Sequence, residues 1–121
     1  MTKFIDANIF IERWSNERAR IFTDALNREE HCTSVLVLTE VYHKLSNKKI
    51  KNAGEYIRSI MGSIKVYDTT QEDLFNAMKN KINADINDRI HIAVMKRNNI
   101  PIIVSFDGDF DQEKTIEREE V

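Results

Sequence analysis

The sequence predicts an α/β domain built on a parallel sheet, and two observations carry that expectation. Short apolar runs, including Phe4-Ile5, Ile64-Lys65-Val66-Tyr67 and Ile102-Ile103-Val104, alternate with longer segments whose apolar residues recur at helical spacing. Two of those runs, the first and the last, end on acid at Asp6 and Asp107. With 121 residues, 41% of them hydrophobic, the chain can bury one core without disulfides. The expected architecture is a single domain over 1–121. A central, mostly parallel sheet of four to five strands is flanked by helices in three α/β/α layers.

Taken in order, Lys3 to Ile5 reads as a short buried strand. From Asn8 to Asn27, Ile9, Phe10, Trp14, Ile21, Phe22, Ala25 and Leu26 mark helix, with a break near Ser15-Asn16. His31-Cys32-Thr33 is a second short strand. Ser34 then serves as the N-cap of a helix to about Leu45 that buries Leu36, Val37, Val41 and Leu45. The polar run Ser46 to Asn52 interrupts, and helix resumes through Met61. Ile64 to Tyr67 alternates at period two, as a strand does. Thr70, with Asp73 three residues on, opens a helix through about Ile82. Asn87 to Asn98 is helical, with Ile90, Ala93, Val94 and also His91 expected inward, and with Asp85 in its N-terminal cap. Ile102 to Val104, the most apolar run, reads as a central parallel strand. The charged tail offers only a weak final strand around Thr115-Ile116.

Composition narrows the function classes. Cys32 is the single cysteine and forms no internal bridge, so nothing asks for an oxidising compartment. Met1-Thr2-Lys3 leads at once into a strand-like run rather than the apolar stretch of a signal peptide. No segment approaches the ~20 apolar residues of a membrane span. A cytoplasmic protein with no membrane role is expected. The net charge of −2 neither supports nor opposes nucleic-acid binding, which depends on a local basic surface.

The chemistry lies in the acids. In an open parallel sheet, ligands bind outside the carboxyl ends of the strands, where Asp6 and Asp107 would sit. Glu40 and Asp88 fall on helices that follow short loops, from which their side chains could converge on the same crevice. Carboxylates gathered there repel one another unless protonated or neutralised by a cation. Mg²⁺ or Mn²⁺ meets that need, because both prefer carboxylate and water oxygens. Singly, Asp6 could end a strand and Asp88 could be a first-turn acid favoured by the helix dipole. Glu40 is harder to assign to structure alone: Val37, Leu38 and Val41 surround it in sequence, and a poorly solvated carboxylate there needs a partner.

At these residues the chain resembles the PIN domain, the nuclease fold typified by VapC toxins of prokaryotic toxin–antitoxin pairs. The matching segments are FIDANIF, SVLVLTEVYHKL, NDRIHIAVMKRN and IPIIVSFDGDF, in order and spacing, across nearly the whole chain. The resemblance implies an endoribonuclease with an acidic Mg²⁺ or Mn²⁺ site at Asp6, Glu40, Asp88 and Asp107. It implies that Asn8 orients Asp6 by hydrogen bonding and that Ser105 positions substrate or a water. It also implies an RNA substrate, a cognate antitoxin and a homodimer. The interface expected for that dimer uses apolar residues between Ile50 and Met61. Asp109, in the same Asp-Gly-Asp-Phe segment, is expected to shape a turn or the surface, with contact to metal through water as the alternative.

Competing readings fail on particular residues. Asp107-x-Asp109-x-Asp111 imitates a calcium loop, but Gln112 and Arg118 stand where Gly and Glu are required. Glu40-x-x-His43 and Asp88-x-x-His91 resemble the ligand pairs of di-iron bundles, yet the apolar strands oppose an all-helical fold. His43 and His91 are therefore expected to be packing or surface residues. Asn8 replaces the second acid of the Asp-x-Asp phosphotransferases. A non-catalytic domain that binds RNA or protein is the remaining alternative, and the presence of all four acids speaks against it. Arg18, Arg20, Lys44, Lys48, Lys49, Lys51, Lys96 and Arg97 could flank an RNA groove, but such charge runs are usually solvated surface, and no RNA-binding residue is assigned.

Overall fold

The computed structural model describes residues 2–121; Met1, first residue of the expected domain, lies outside the described residues. Strands β1 (Lys3–Ile5), β2 (His31–Ser34), β3 (Lys65–Tyr67), β4 (Ile102–Val104) and β5 (Glu117–Glu119) form a five-stranded sheet in the order β3-β2-β1-β4-β5. Every pairing is parallel, so the expected mostly parallel sheet is wholly so. Helices α1 (Ala7–Ile11), α2 (Glu17–Asp24), α3 (Val35–Asn47), α4 (Ala53–Ser63), α5 (Gln71–Lys79) and α6 (Ile86–Arg97) supply the crossovers. The chain first adds strands to one side of β1, then returns to its other side through α5 and α6. Right-handed crossovers therefore place α5 and α6 on the face opposite α1 to α4.

Local chemistry explains most boundaries. Asp6 caps α1 by accepting from the Ala7 amide at 2.8 Å. After α1, a 3₁₀ turn over Glu12–Trp14 leads to the predicted break, and Asn16 caps α2. Ser34 caps α3, accepting from the Val37 amide at 3.2 Å. The break between α3 and α4 uses left-handed backbone at Lys49 (φ 58°) and Asn52 (φ 63°), the second a residue type that tolerates it. Thr70 and Asp73 form a reciprocal capping box at α5. That helix stops at Lys79, short of Ile82, because Asn80 turns to extended backbone and its side chain accepts from the Ile82 amide instead.

The last strand lies two residues beyond its expected place. Glu117-Arg118-Glu119 has no apolar alternation, yet the Glu117 amide donates to the Pro101 carbonyl at 2.8 Å and the Ser105 amide to the Glu119 carbonyl at 2.9 Å. Backbone pairing fixes it, with the Lys3–Glu119 ion pair and Arg118 donating to the Ser105 carbonyl beside it, and its charges suit an edge that should not recruit further strands.

The core runs along both faces of the sheet. Phe4, Ile5, Ile103 and Val104 pack against Ile9, Phe10, Val37, Val41, Leu45, Ile92, Val94 and Met95. Reversal of winding about β1 makes the carboxyl ends of β1 and β4 the topological switch point, where such sheets open a crevice. No helix among the described residues is long and apolar enough to cross a membrane.

Candidate active site

The crevice at the ends of β1 and β4 is built from the backbone outward. Asp6, the residue after β1, is 5% exposed, and its amide donates to the Val104 carbonyl at 3.0 Å. Thr33 in β2 supports the same strand end by donating its hydroxyl to the Ile5 carbonyl at 2.8 Å. Ser105, the residue after β4, is fully buried and donates to Oδ2 of Asp6 at 2.7 Å. Its oxygen in turn accepts from Nδ2 of Asn8 at 3.2 Å and from the Asp107 amide at 3.0 Å.

Those bonds place two of the expected supporting residues. Asn8 reaches Asp6 only through Ser105, while its Oδ1 accepts from the Phe106 amide at 3.2 Å. Asn8 thus ties α1 to the segment after β4. Ser105 has one donor and two acceptor positions, and all are filled by protein groups. The residue holds two strand ends together.

Asp88 occupies the first turn of α6, where its amide donates to Oδ1 of the capping Asp85 at 3.0 Å. Carboxylate oxygens of Asp6 and Asp88 and a ring nitrogen of His91 all lie within 4.8 Å of one another. Oxygens of Asp88, Asp107 and Asp109 form a second such group, also within 4.8 Å. Asp88 therefore joins the two. Asp109, expected to serve only a turn or the surface, is exposed and does help form the turn, its amide donating to Oδ1 of Asp107 at 2.9 Å. Its carboxylate nonetheless faces the other acids.

Glu40 approaches from α3. Its side chain is 27% exposed rather than sunk among Val37, Leu38 and Val41, because it flanks the helix face that they form. Oε1 accepts from Nε2 of His91 at 2.7 Å, and Oε2 accepts from Nδ2 of Asn87 at 3.3 Å. His91 is fully buried, its Nε2 stands 3.9 Å from Oδ1 of Asp6, and its ring packs against Phe4.

His91 and Asn87 are the site residues that sequence reasoning passed over. The signal was the spacing: positions 87, 88 and 91 fall close together around one side of a helix, facing the same crevice. His43, the other histidine considered with it, is exposed and meets only Asn47.

The electrostatics follow from burial and crowding. Burial pushes the Asp88 carboxyl up to about 7, with Asp6, Asp85 and Asp107 adding to the rise against a smaller opposing effect of His91. Burial also raises Asp6, although His91 and the bonds from Ser105 and Ala7 pull the other way. Burial disfavours the His91 imidazolium, but the Glu40 hydrogen bond and the charges of Asp6, Glu40 and Asp88 outweigh it and raise the pKa.

Among the described residues, no Lys or Arg forms an ion pair with Asp6, Glu40, Asp88, Asp107 or Asp109, although Lys and Arg pair with acids elsewhere. Hard oxygen donors converge with His91 as the one basic group in contact, and burial together with the neighbouring acids holds Asp88 near neutral pKa. That donor set fits a divalent cation of the Mg²⁺ or Mn²⁺ kind.

A family model described as PIN domain matches residues 3–114. In fold, the chain is similar to Mycobacterium tuberculosis VapC20, a sarcin-ricin loop cleaving toxin, with a TM-score of 0.75 and 21% identity over 93% of this chain and 95% of that one. A toxin–antitoxin complex from Klebsiella pneumoniae matches with a TM-score of 0.73 and 15% identity over 95% of each chain. VapBC2 from Rickettsia felis, bound to a DNA fragment from its promoter, matches with a TM-score of 0.70 and 16% identity over 100% and 99%. Identities this low speak for shared fold. No curated protein matches the chain.

Proposed function

This chain belongs to the PIN domain family, and from that premise we propose that it is a metal-dependent endoribonuclease, the toxin of a VapBC-type pair. The observation that carries the proposal is the position of Asp88, shared between the group of Asp6 and His91 and the group of Asp107 and Asp109, neither of which has a Lys or Arg partner among the described residues. Asp6, Asp88 and Asp107 would hold Mg²⁺ or Mn²⁺, with Glu40 as a fourth oxygen donor and Asp109 at the outer edge. When bound, such a cation supplies a more acidic water and offsets charge developing on the phosphate.

The chain's own residues set the geometry. Ser105 fixes one oxygen of Asp6 and the backbone of Asp107 together, so the two strand ends move as one unit. Asn8 braces the same corner from α1. Asp88 must give up its proton before both its oxygens can serve a cation. The half-exposed Glu40 and Asp107 and the exposed Asp109 leave the cluster open on its solvent side, where a single-stranded or structured RNA phosphate would enter.

The partners follow from the same reading. A cognate antitoxin would be expected, as in the toxin–antitoxin complexes of similar fold. A second copy of the chain is proposed to cover the apolar groove of Val35, Leu38, Tyr42, Ile57, Met61 and Val66 on α3, α4 and β3. The whole of 1–121 is proposed to act as one nuclease domain.

Incubating purified protein with single-stranded RNA tests the activity. Cleavage should require Mg²⁺ or Mn²⁺ and stop in EDTA. Equal cleavage with and without chelator overturns the proposal.

A further inference from the structure

Glu40 is the acid whose position depends least on its own backbone. It reaches the crevice on a flexible side chain from the second turn of α3, and it is partly solvated. Both of its oxygens are nonetheless engaged by α6. His91 Nε2 meets Oε1 at 2.7 Å and Asn87 Nδ2 meets Oε2 at 3.3 Å, from side chains one helical turn apart. A carboxylate accepts only, so the bond fixes the tautomer, with the proton on Nε2.

The rest of the imidazole is poorly provided for. His91 is 0% exposed and sits against Phe4, and its Nδ1 is buried without a hydrogen-bond partner. An apolar side chain of similar size would fill this place without leaving a bare polar atom, which is costly in a core. What the histidine supplies and an apolar residue does not is the short bond to Glu40. With its Nε2 proton committed there, that nitrogen has no lone pair left for a cation.

We propose that Asn87 and His91 form a two-donor clamp that orients the Glu40 carboxylate toward the cation site beside Asp6 and Asp88. Both are positioning residues, and the proposal rests on the metal-site reading given above. The clamp settles a long side chain before the cation arrives, so the ordering cost is met on folding rather than on binding. Each carboxylate oxygen keeps a second lone pair, so accepting from the clamp leaves Glu40 able to bind metal.

Calorimetric titration of Mn²⁺ into the full chain tests the clamp, with His91→Leu, His91→Gln and Asn87→Ala beside wild type. His91→Leu should melt no lower than wild type in EDTA yet bind Mn²⁺ about tenfold more weakly or worse. His91→Gln, which can place an amide donor where Nε2 stood, should recover most of that loss, and Asn87→Ala should lose less than His91→Leu. Wild-type affinity in His91→Leu overturns the clamp, and so does a His91→Gln affinity as poor as that of His91→Leu. A metal-free measurement separates this from the activity reading: the His91 Nε2 proton should give a downfield resonance in EDTA that is lost or displaced in Glu40→Gln. An unchanged resonance in Glu40→Gln overturns the clamp even where His91→Leu does not fold. Failure of wild type to bind Mn²⁺ overturns both the clamp's role and the metal-site reading, whereas normal wild-type binding with a failed clamp leaves the metal-site reading standing.

Discussion

Ser105 donates its hydroxyl proton to Oδ2 of Asp6 across 2.7 Å, joining residues 99 positions apart at the ends of β4 and β1. The same oxygen accepts from Asn8 and from the Asp107 amide, so three partners depend on one small side chain.

Ser105→Ala should therefore cost about 1–3 kcal/mol, because the Asp107 amide and the Asn8 side chain lose their buried acceptor. Chemical denaturation checks this. A loss within a few tenths of a kcal/mol would mean that the hydroxyl is dispensable to the strand ends. RNA cleavage should fall as well, since Asp6 and Asp107 would no longer share a brace.

Asp6→Asn separates binding from folding. The amide oxygen can still accept from Ala7, so the α1 cap survives; its NH2 replaces Oδ2 opposite Ser105 and forfeits that bond, which the removal of one charge from a buried and crowded group offsets. Cleavage should drop by about two orders of magnitude or more, with melting in EDTA unchanged or raised. A clear fall in melting temperature would instead make Asp6 a structural residue.

The metal-free protein should lose stability as the pH rises from 5 to 8. Asp88 holds its proton more tightly when folded (about 7) than when unfolded (3.8), so its contribution is full below the lower value and drains away as pH climbs through the upper. Asp6 and His91, both raised, act in the same direction. After allowance for solvent screening at the crevice mouth, Asp88 contributes about 1–2 kcal/mol, or roughly 4–8 °C in melting temperature. Thermal melts in EDTA measure this, and Asp88→Asn should flatten the slope.

Metal binding should show the converse dependence. A cation competes with the Asp88 proton, so Mn²⁺ affinity should weaken below about pH 7, with proton release seen as a buffer-dependent heat. Affinity that is the same at pH 6 and 8 would place the cation away from Asp88.

Association should centre on the groove of α3 and α4. Val35, Tyr42 and Met61 are each about half exposed there, an apolar surface that a second copy would cover. Sedimentation should find a dimer at micromolar concentrations, and Met61→Glu should shift it toward monomer. Unchanged mass in that variant would place the interface elsewhere.

How far the sequence revealed all this depended on whether a feature was local. Strands β1 and β4 were visible because they are short, apolar and closed by acid, and Ser34, Thr70 and Asp85 announced helix starts through contacts three residues away. The strand β5 was displaced in the reading because backbone pairing with β4 sets it, and charged residues leave no pattern. The four acids were legible as a set, but their environments were not. Glu40 looked buried from its neighbours in sequence, whereas its true neighbours are Asn87 and His91, some 50 residues on. His91 was set aside for the same reason: a lone histidine in an apolar stretch resembles packing until the helix facing it is known.

The placement of β1 has a consequence for the order of events during synthesis. It lies at the centre of the sheet, yet one of its two neighbours, β4, is registered with it only at Ile102 to Val104. A growing chain exposes Asp6 and Glu40 early and must wait for most of its length before β4, Ser105 and Asp107 exist. Contacts between such distant segments form late, since a long loop must close before any of them is rewarded. A chain proposed to cut RNA is thereby kept from assembling its cutting centre through most of the time it hangs from a machine that is itself largely RNA.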